Sequence, residues 1–512
     1  MSPPRLTYRF GPLERRGILG PVRAGQAAIL ALAALGAIVV LDRAPTSTGA
    51  LLATAIFGLG VLLATAPLRG RTVQEWAPIA GSFALRRTGG GARFSSPAPT
   101  RGTHARLHAP APARKTHARF GGVAGETQLE DPSPAAPAAL RGVRILDAAY
   151  RDRPIGALSE RSGRRLTAVL ACRVVAFSLL DPQAQERRLA RWGLVLSGSA
   201  NTEIRRIQWI ERTAPAQGDE LARWVHAERD PAVPLRGTAM IESYLELIGT
   251  TARVTQEHEI LIAIQVDAVR VRDRGQDTVM RALIEQTERV AQGLEAAEVT
   301  VLGALSAGQL GRTLRTAFDP YARAELASLE SADPGRDGLS EANAWPLGAR
   351  EAWDHYRSDG AVHATYWIGG WPRIDVSPMF MDALLGRSSA VRTVAVTFEA
   401  VPPERSTREV EAAITRDRAD RELRHRFGQS ETARQRQAQE STMRRESELA
   451  AGHSEVRLSG FVTVSGRDRD DLRRSTSEVL EHAARARLEL HRMYGQQADA
   501  FTFTLPLCRG LR

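Results

Sequence analysis

Two uninterrupted apolar runs stand close together near the start of the chain. Ala24 to Leu41 holds 18 residues without a formal charge, and Gly49 to Leu68 holds another 20. At about 1.5 Å of rise per helical residue each reaches roughly 30 Å, the thickness of a bilayer's hydrocarbon core. Between them, Asp42 to Thr48 supplies charge, a proline and three hydroxyls. The pattern predicts a transmembrane helical hairpin, with helices at about 22–41 and 49–68. Ala and Gly dominate both runs, which suits close helix packing in lipid. A cleavable signal would explain the first run and leave the second unexplained.

Behind the hairpin the pattern changes twice. Thr72 to Leu85 places Trp76, Ile79 and Phe83 at spacings of three and four, predicting an interfacial helix with that face on the membrane. From Thr88 to about Pro137, Gly, Ser, Pro, Thr, His and Arg replace large apolar residues, the composition of a flexible tether.

From Leu140 onward, short runs of β-branched and apolar residues alternate with helical patterns. Strands are expected over 142–147, 165–180, 204–210 and 258–272. Helices are expected over 182–197, opened by Asp181-Pro182, and over 219–227, 239–253 and 277–297. A helix at 306–318 and turn residues around Asp333-Pro334-Gly335 lead into a second series. It has strands at 362–371, 391–401, 455–465 and 500–505, and helices at 378–385, 404–451 and 469–494. The expected fold is α+β: two ferredoxin-like or related sandwich modules in tandem, over 140–303 and 304–512, behind the hairpin segment 1–71 and the juxtamembrane stretch 72–139.

Charge refines this picture. The chain carries a net +11. Residues 1–120 hold sixteen basic side chains against three acidic ones, an excess of thirteen, so the remainder sums to −2. The basicity therefore belongs to the hairpin's flanks. Arg15, Arg16, Arg23, Arg69, Arg71, Arg86 and Arg87 are the expected contacts to anionic lipid. The same asymmetry places both termini in the cytoplasm, in a multi-pass protein of the cell membrane. A near-neutral body argues against nucleic acid as a partner. Cys172 and Cys508 are the only cysteines, which excludes a disulfide framework.

Candidate chemistry is sparse. Lys115 is the only lysine and Arg114 precedes it where a phosphate loop needs glycine, so a nucleotide-binding loop and Schiff-base chemistry are both excluded. No GxSxG, HExxH or paired CxxC occurs. Asp354, His355, Asp359 and His363 crowd together in sequence but straddle a turn, and no metal, cofactor or catalytic set is assigned. Trp367 and Trp371, on a strand ended by Gly and Pro, are candidates for a partner surface. So are Leu423 and Phe427, an i, i+4 pair on a helix otherwise rich in Arg, Glu and Asp.

Several stretches resemble a known family. Thr7 to Gly20 (TYRFGPLERRGILG) followed by a two-helix hairpin is similar to actinobacterial integral membrane proteins of integrative conjugative and type IV secretion-like clusters. Phe177 to Pro182, Gln208 to Thr213, Tyr244 to Leu247, Glu448 to His453 and Tyr494 to Leu507 resemble that family and the N-terminal half of TraC-type conjugative ATPases. The resemblance implies a non-enzymatic scaffold in an oligomeric complex, docking a separate conjugative ATPase beside a small PrgI-like membrane protein. The alternative is a type VII secretion subunit of the EccE kind, also two membrane helices followed by a cytosolic α/β domain. A further alternative is a degenerate membrane-bound transferase.

Overall fold

A computed structural model describes residues 24–65, 72–96, 136–150, 153–173, 177–215, 256–323, 341–372, 376–386, 388–426 and 455–511, with a few isolated positions between them. The chain opens with helices α1 (Ala24–Arg43), α2 (Ser47–Thr65) and α3 (Val73–Thr88) and the short strand β1 (Arg93–Ser95). There follow β2 (Arg144–Tyr150), β3 (Arg153–Glu160), β4 (Arg165–Arg173), α4 (Pro182–Gly198), β5 (Ile204–Pro215), β6 (Gln256–Asp267), α5 (Gln276–Ala296), β7 (Thr300–Ala304) and α6 (Ala307–Phe318). The C-terminal half runs β8 (Gly348–Glu351), β9 (Tyr356–Ser358), β10 (Ala361–Gly370), α7 (Asp382–Leu385), β11 (Val391–Ala400), α8 (Pro403–Arg426), β12 (Val456–Gly466), α9 (Arg469–Arg485), β13 (Glu489–Arg492) and α10 (Gln497–Phe501).

Local chemistry sets several of these boundaries. Asp181 accepts a hydrogen bond from the Ala184 amide, with Pro182 at the first helical position, so α4 starts where the sequence predicts. Ser306 and Gln309 close a capping box on α6, with bonds of 3.2 and 3.1 Å. Asp468 caps α9 by accepting from the Asp470 and Asp471 amides.

Among the described residues all strand pairings are antiparallel and make one 13-stranded sheet, so the fold is α+β. The same plan occurs twice within it. The strands β4, β5, β6 and β7 stand side by side as β7-β4-β6-β5, and β10 to β13 stand as β13-β10-β12-β11. In the first half α4 lies between β4 and β5 and α5 between β6 and β7; in the second, α7 and α9 hold the same places, with α8 added between β11 and β12. The correspondence extends outward. The strand before each unit, β3 or β9, pairs with the start of the unit's first strand, and the fourth strand pairs with its end. Strand β11 lies along β5 from Phe398↔Ile207 to Arg392↔Thr213, so the two halves join edge to edge. The expected modules are therefore halves of one sheet. Helix α6 packs on β2 and β3, which places 307–318 with the first half.

Side chains alternate between the sheet's two faces. On one face, Trp192 and Leu196 of α4 and Val290 and Leu294 of α5 cover Ile207, Ile262 and Ile264. In the second half, Leu384, Leu472, Val479 and Ala483 cover Val362, Ala364, Val394, Val462 and Val464, with Trp209 against both groups. On the other face, α6 and residues 497–511 cover Leu158, Val169, Ile210, Leu261 and Ala395.

This last segment corrects one expectation. Residues 500–505 are not a strand; they form the end of α10 and a single 3-10 turn, followed by an extended strap. Its backbone is satisfied from beneath by side chains of the sheet. Gln208 donates to the Phe503 carbonyl at 2.8 Å and accepts from the Cys508 amide at 2.8 Å. Gln265 donates to Leu507 O, Arg206 to Cys508 O and Leu511 O, and Thr397 to Arg509 O. A chain held in this way needs no neighbouring strand.

Other boundaries also move. The helix expected over 469–494 stops at Arg485, because Arg487 takes φ 58° and returns the chain as β13. The strand expected over 165–180 ends at Arg173, the stretch expected as a tether from Thr88 begins instead with β1, and β1, β3, β7, β8, β9 and β13 carry too short or too interrupted a pattern to be read. The helices expected at 219–227 and 239–253, and the long helix beyond Arg426, fall outside the described residues except at isolated positions.

Both thiols are buried, and at Cys508 desolvation outweighs the opposing charges of Arg206 and Arg205. Burial pushes Cys172 up to about 11 and raises Cys508 as well. Iodoacetamide at pH 8 is therefore expected to leave both unlabelled in the folded protein and to label both after denaturation. Mass spectrometry of the intact chain reads the difference.

Candidate membrane-junction site

Helices α1 and α2 lie antiparallel, joined by Ala44 to Thr46. The Thr46 hydroxyl accepts from the Gly49 amide at 3.2 Å, and its carbonyl accepts from Ala50, which starts α2. At the far end Gln26 donates to the Ala64 carbonyl at 2.9 Å. The α2 face turned inward is Gly49, Ala53, Gly60 and Ala64. A Cβ on Gly60 would lie 2.2 Å from that of Ala33, so only glycine permits this approach. Outward, Leu32, Leu35, Ile38, Leu51, Leu52, Leu59 and Leu62 are each more than half exposed. Such a surface fits hydrocarbon, not water. Among the described residues α2 is the one helix long and apolar enough to cross a membrane.

The helix α3 turns toward the sheet. Thr72 and Glu75 cap it, and Glu75 accepts from the Thr72 amide at 3.0 Å. Trp76 lies 5.7 Å from Trp353 and 6.0 Å from Tyr494, and Phe83 meets Trp353 edge to face at 5.2 Å. Gly495, at φ 68°, lets Trp353 and Ile79 close over it, since a Cβ there would fall 2.6 Å from the indole. Arg86 completes the junction. It pairs with Glu351 at 3.1 Å and donates to the Gly495 carbonyl at 2.6 Å, while Glu351 also accepts from the Ala498 amide. After a tight turn β1 pairs with β8. The face expected against the membrane therefore packs on the protein's own body, and Arg86 points into that body and not toward lipid.

The remaining predicted residues are scattered. Arg87 is exposed at the end of α3. Arg15, Arg16, Arg23, Arg69, Arg71 and Phe427 lie outside the described residues, as does the side chain of Leu423. Trp367 stacks near His491 at 6.0 Å, and Trp371 packs against the second-half core and Gly460, so both are engaged within the fold. The polar group around 354–363 is dispersed. Asp354 holds His355 Nδ1 at 2.7 Å, Asp359 pairs with Arg315, and His363 is enclosed in the core. Among the described residues no group of three His, Cys, Asp or Glu side chains converges. What sequence reasoning missed is the acceptor of α3. Trp353 and Glu351 lie some 270 residues from Trp76 and Arg86, and nothing local announces the pairing.

Comparison with known proteins touches one part of this arrangement. Residues 263–368 match the family described as putative type VII ESX secretion system translocon, EccE. The matched stretch is about a fifth of the chain and runs from Ala263 in β6 to Ile368 in β10. It contains Glu351 and Trp353 of the junction. No curated protein matches the chain.

Two outcomes follow from the buried groups. Burial raises the Glu351 carboxyl above its ordinary range, opposed by the Ala498 amide and by Arg86. Arg86→Ala removes its cation and is expected to cost about 3 kcal/mol. The loss should deepen as pH rises, because a raised carboxyl gives stability at low pH that disappears on ionisation. Thermal unfolding in detergent across pH measures this, with Glu351→Gln added to Arg86→Ala recovering most of it.

His363 donates to the Phe318 carbonyl at 3.0 Å and accepts from Ser465 Oγ at 2.8 Å, and burial lowers it to about 4 from an ordinary 6.5. Its neutral form thus contributes stability above pH 6.5 that is lost as pH falls toward 4, up to about 3 kcal/mol. His363→Gln should flatten the stability profile over that window.

Proposed function

We propose that the protein is a membrane-anchored, non-enzymatic subunit of a secretion translocon of the type VII ESX kind. The match of residues 263–368 to the EccE family carries this reading. Its position supports it, because the matched stretch supplies the residues on which α3 docks. The hairpin then serves as the anchor, with α1 and α2 both in the bilayer and both termini in the cytoplasm.

The conjugative reading gives way to this one. The family match falls on the type VII side, and neither a TraC-type ATPase nor a PrgI-like partner gains support from it. An assembly role also accords with the sheet. The strap and α6 cover one face, and helices cover the other.

Affinity purification of the full chain from its own membranes, under gentle detergent extraction, tests the proposal. A translocon complex containing an FtsK-like ATPase is expected. Recovery of the protein with a conjugative ATPase, or alone as a monomer, would overturn it.

A further inference from the structure

Several buried or half-buried arginines of the body form ion pairs. Arg144 meets Glu341, Arg206 meets Glu399, Arg212 meets Glu259, and Arg315 meets Asp359. At the edge of the sheet beside the junction three arginines are instead stacked on one another by strand register. In the register of β1, β8 and β9, Arg93 lies directly opposite Arg350, and Arg350 directly opposite Arg357. All three are exposed, and none has an ion pair among the described residues. Directly opposite side chains in such a ladder stand about 5 Å apart at Cβ, and like charges there repel. The alternation of strand faces sends Glu351, the acidic neighbour of Arg350, to the opposite side, where Arg86 holds it.

We propose that Arg93, Arg350 and Arg357 form a phosphate-binding ladder that holds acidic phospholipid headgroups against this edge of the sheet. Three guanidinium groups in a row of about 10 Å, two interstrand spacings, present forked donors suited to phosphate oxygens. An anion between them removes the repulsion that the register imposes. The tether selects the lipid. Arg93 follows α2 by 28 residues, of which the 16 of α3 are helical, so the ladder stays within tens of ångströms of the bilayer. The inference rests on the anchored reading of the hairpin but not on the identity of the secretion system.

The test uses the full chain in nanodiscs of phosphatidylcholine alone or with phosphatidylglycerol. Hydrogen exchange is followed at residues 93–95, 348–351 and 356–358. About tenfold slower exchange is expected in the anionic discs, from the attraction of several arginines to the lipid surface. The Arg350→Gln/Arg357→Gln variant should lose the difference, while β5 and β11 stay protected as proof of folding. Equal exchange in both discs, or an effect that survives in the variant, overturns the ladder. So does protection by a single-stranded oligonucleotide or inorganic phosphate in neutral discs without protection by phosphatidylglycerol. A chain that inserts into neither disc overturns the anchored reading and the ladder with it. A chain that inserts without lipid dependence overturns the ladder alone.

Discussion

Seven residue pairings between β5 and β11 hold the body together. Each half has the strand order of a self-contained unit, yet each would present its second strand as a bare edge, a row of unpaired amides and carbonyls open to unwanted association. Pairing the two edges removes both liabilities at once. Trp209 sits at this seam and packs into the helix-side cores of both halves, so the join is apolar as well as hydrogen-bonded.

The seam also explains the C-terminal strap. Side chains from the strands around it, Gln208 on β5, Gln265 on β6 and Thr397 on β11, face the same side and reach for backbone groups of residues 503–509. A buried glutamine without partners would cost of the order of 1–3 kcal/mol. Here the strap supplies partners for both ends of the Gln208 amide and for the Gln265 nitrogen, and the sheet supplies the strap's. Arg509 extends the tie to Glu160 at 2.7 Å and to the Ala139 carbonyl, so the end of the chain grips the beginning of the first half.

The hairpin reaches the body through α3. Aromatic contact with Trp353 and the buried Arg86–Glu351 pair fix the helix to the sheet instead of leaving it as a loose spacer. Force or displacement at the hairpin therefore reaches the body through a packed joint. That is the mechanical property the proposed anchored subunit needs, and Glu351 and Trp353 of the joint lie on the stretch that matches the EccE family model.

The sequence by itself determined what depends on neighbours along the chain. It specified the apolar runs of the hairpin, the cap at Asp181, strands over 204–210, 362–371, 391–401 and 455–465 that overlap the observed ones, and the recurrence of a strand-and-helix unit. These follow from periodicity and capping chemistry, which act over a few residues. Tertiary structure alone decided the fusion of two modules into one sheet, the strap that replaces an expected strand, and the turning of α3 from lipid to protein. It also decided where the candidate site lies, since Arg86 and Trp76 are legible as an amphipathic face while Glu351 and Trp353 are not. Strand register pairs residues far apart in sequence, so no local pattern encodes which arginine stands opposite which.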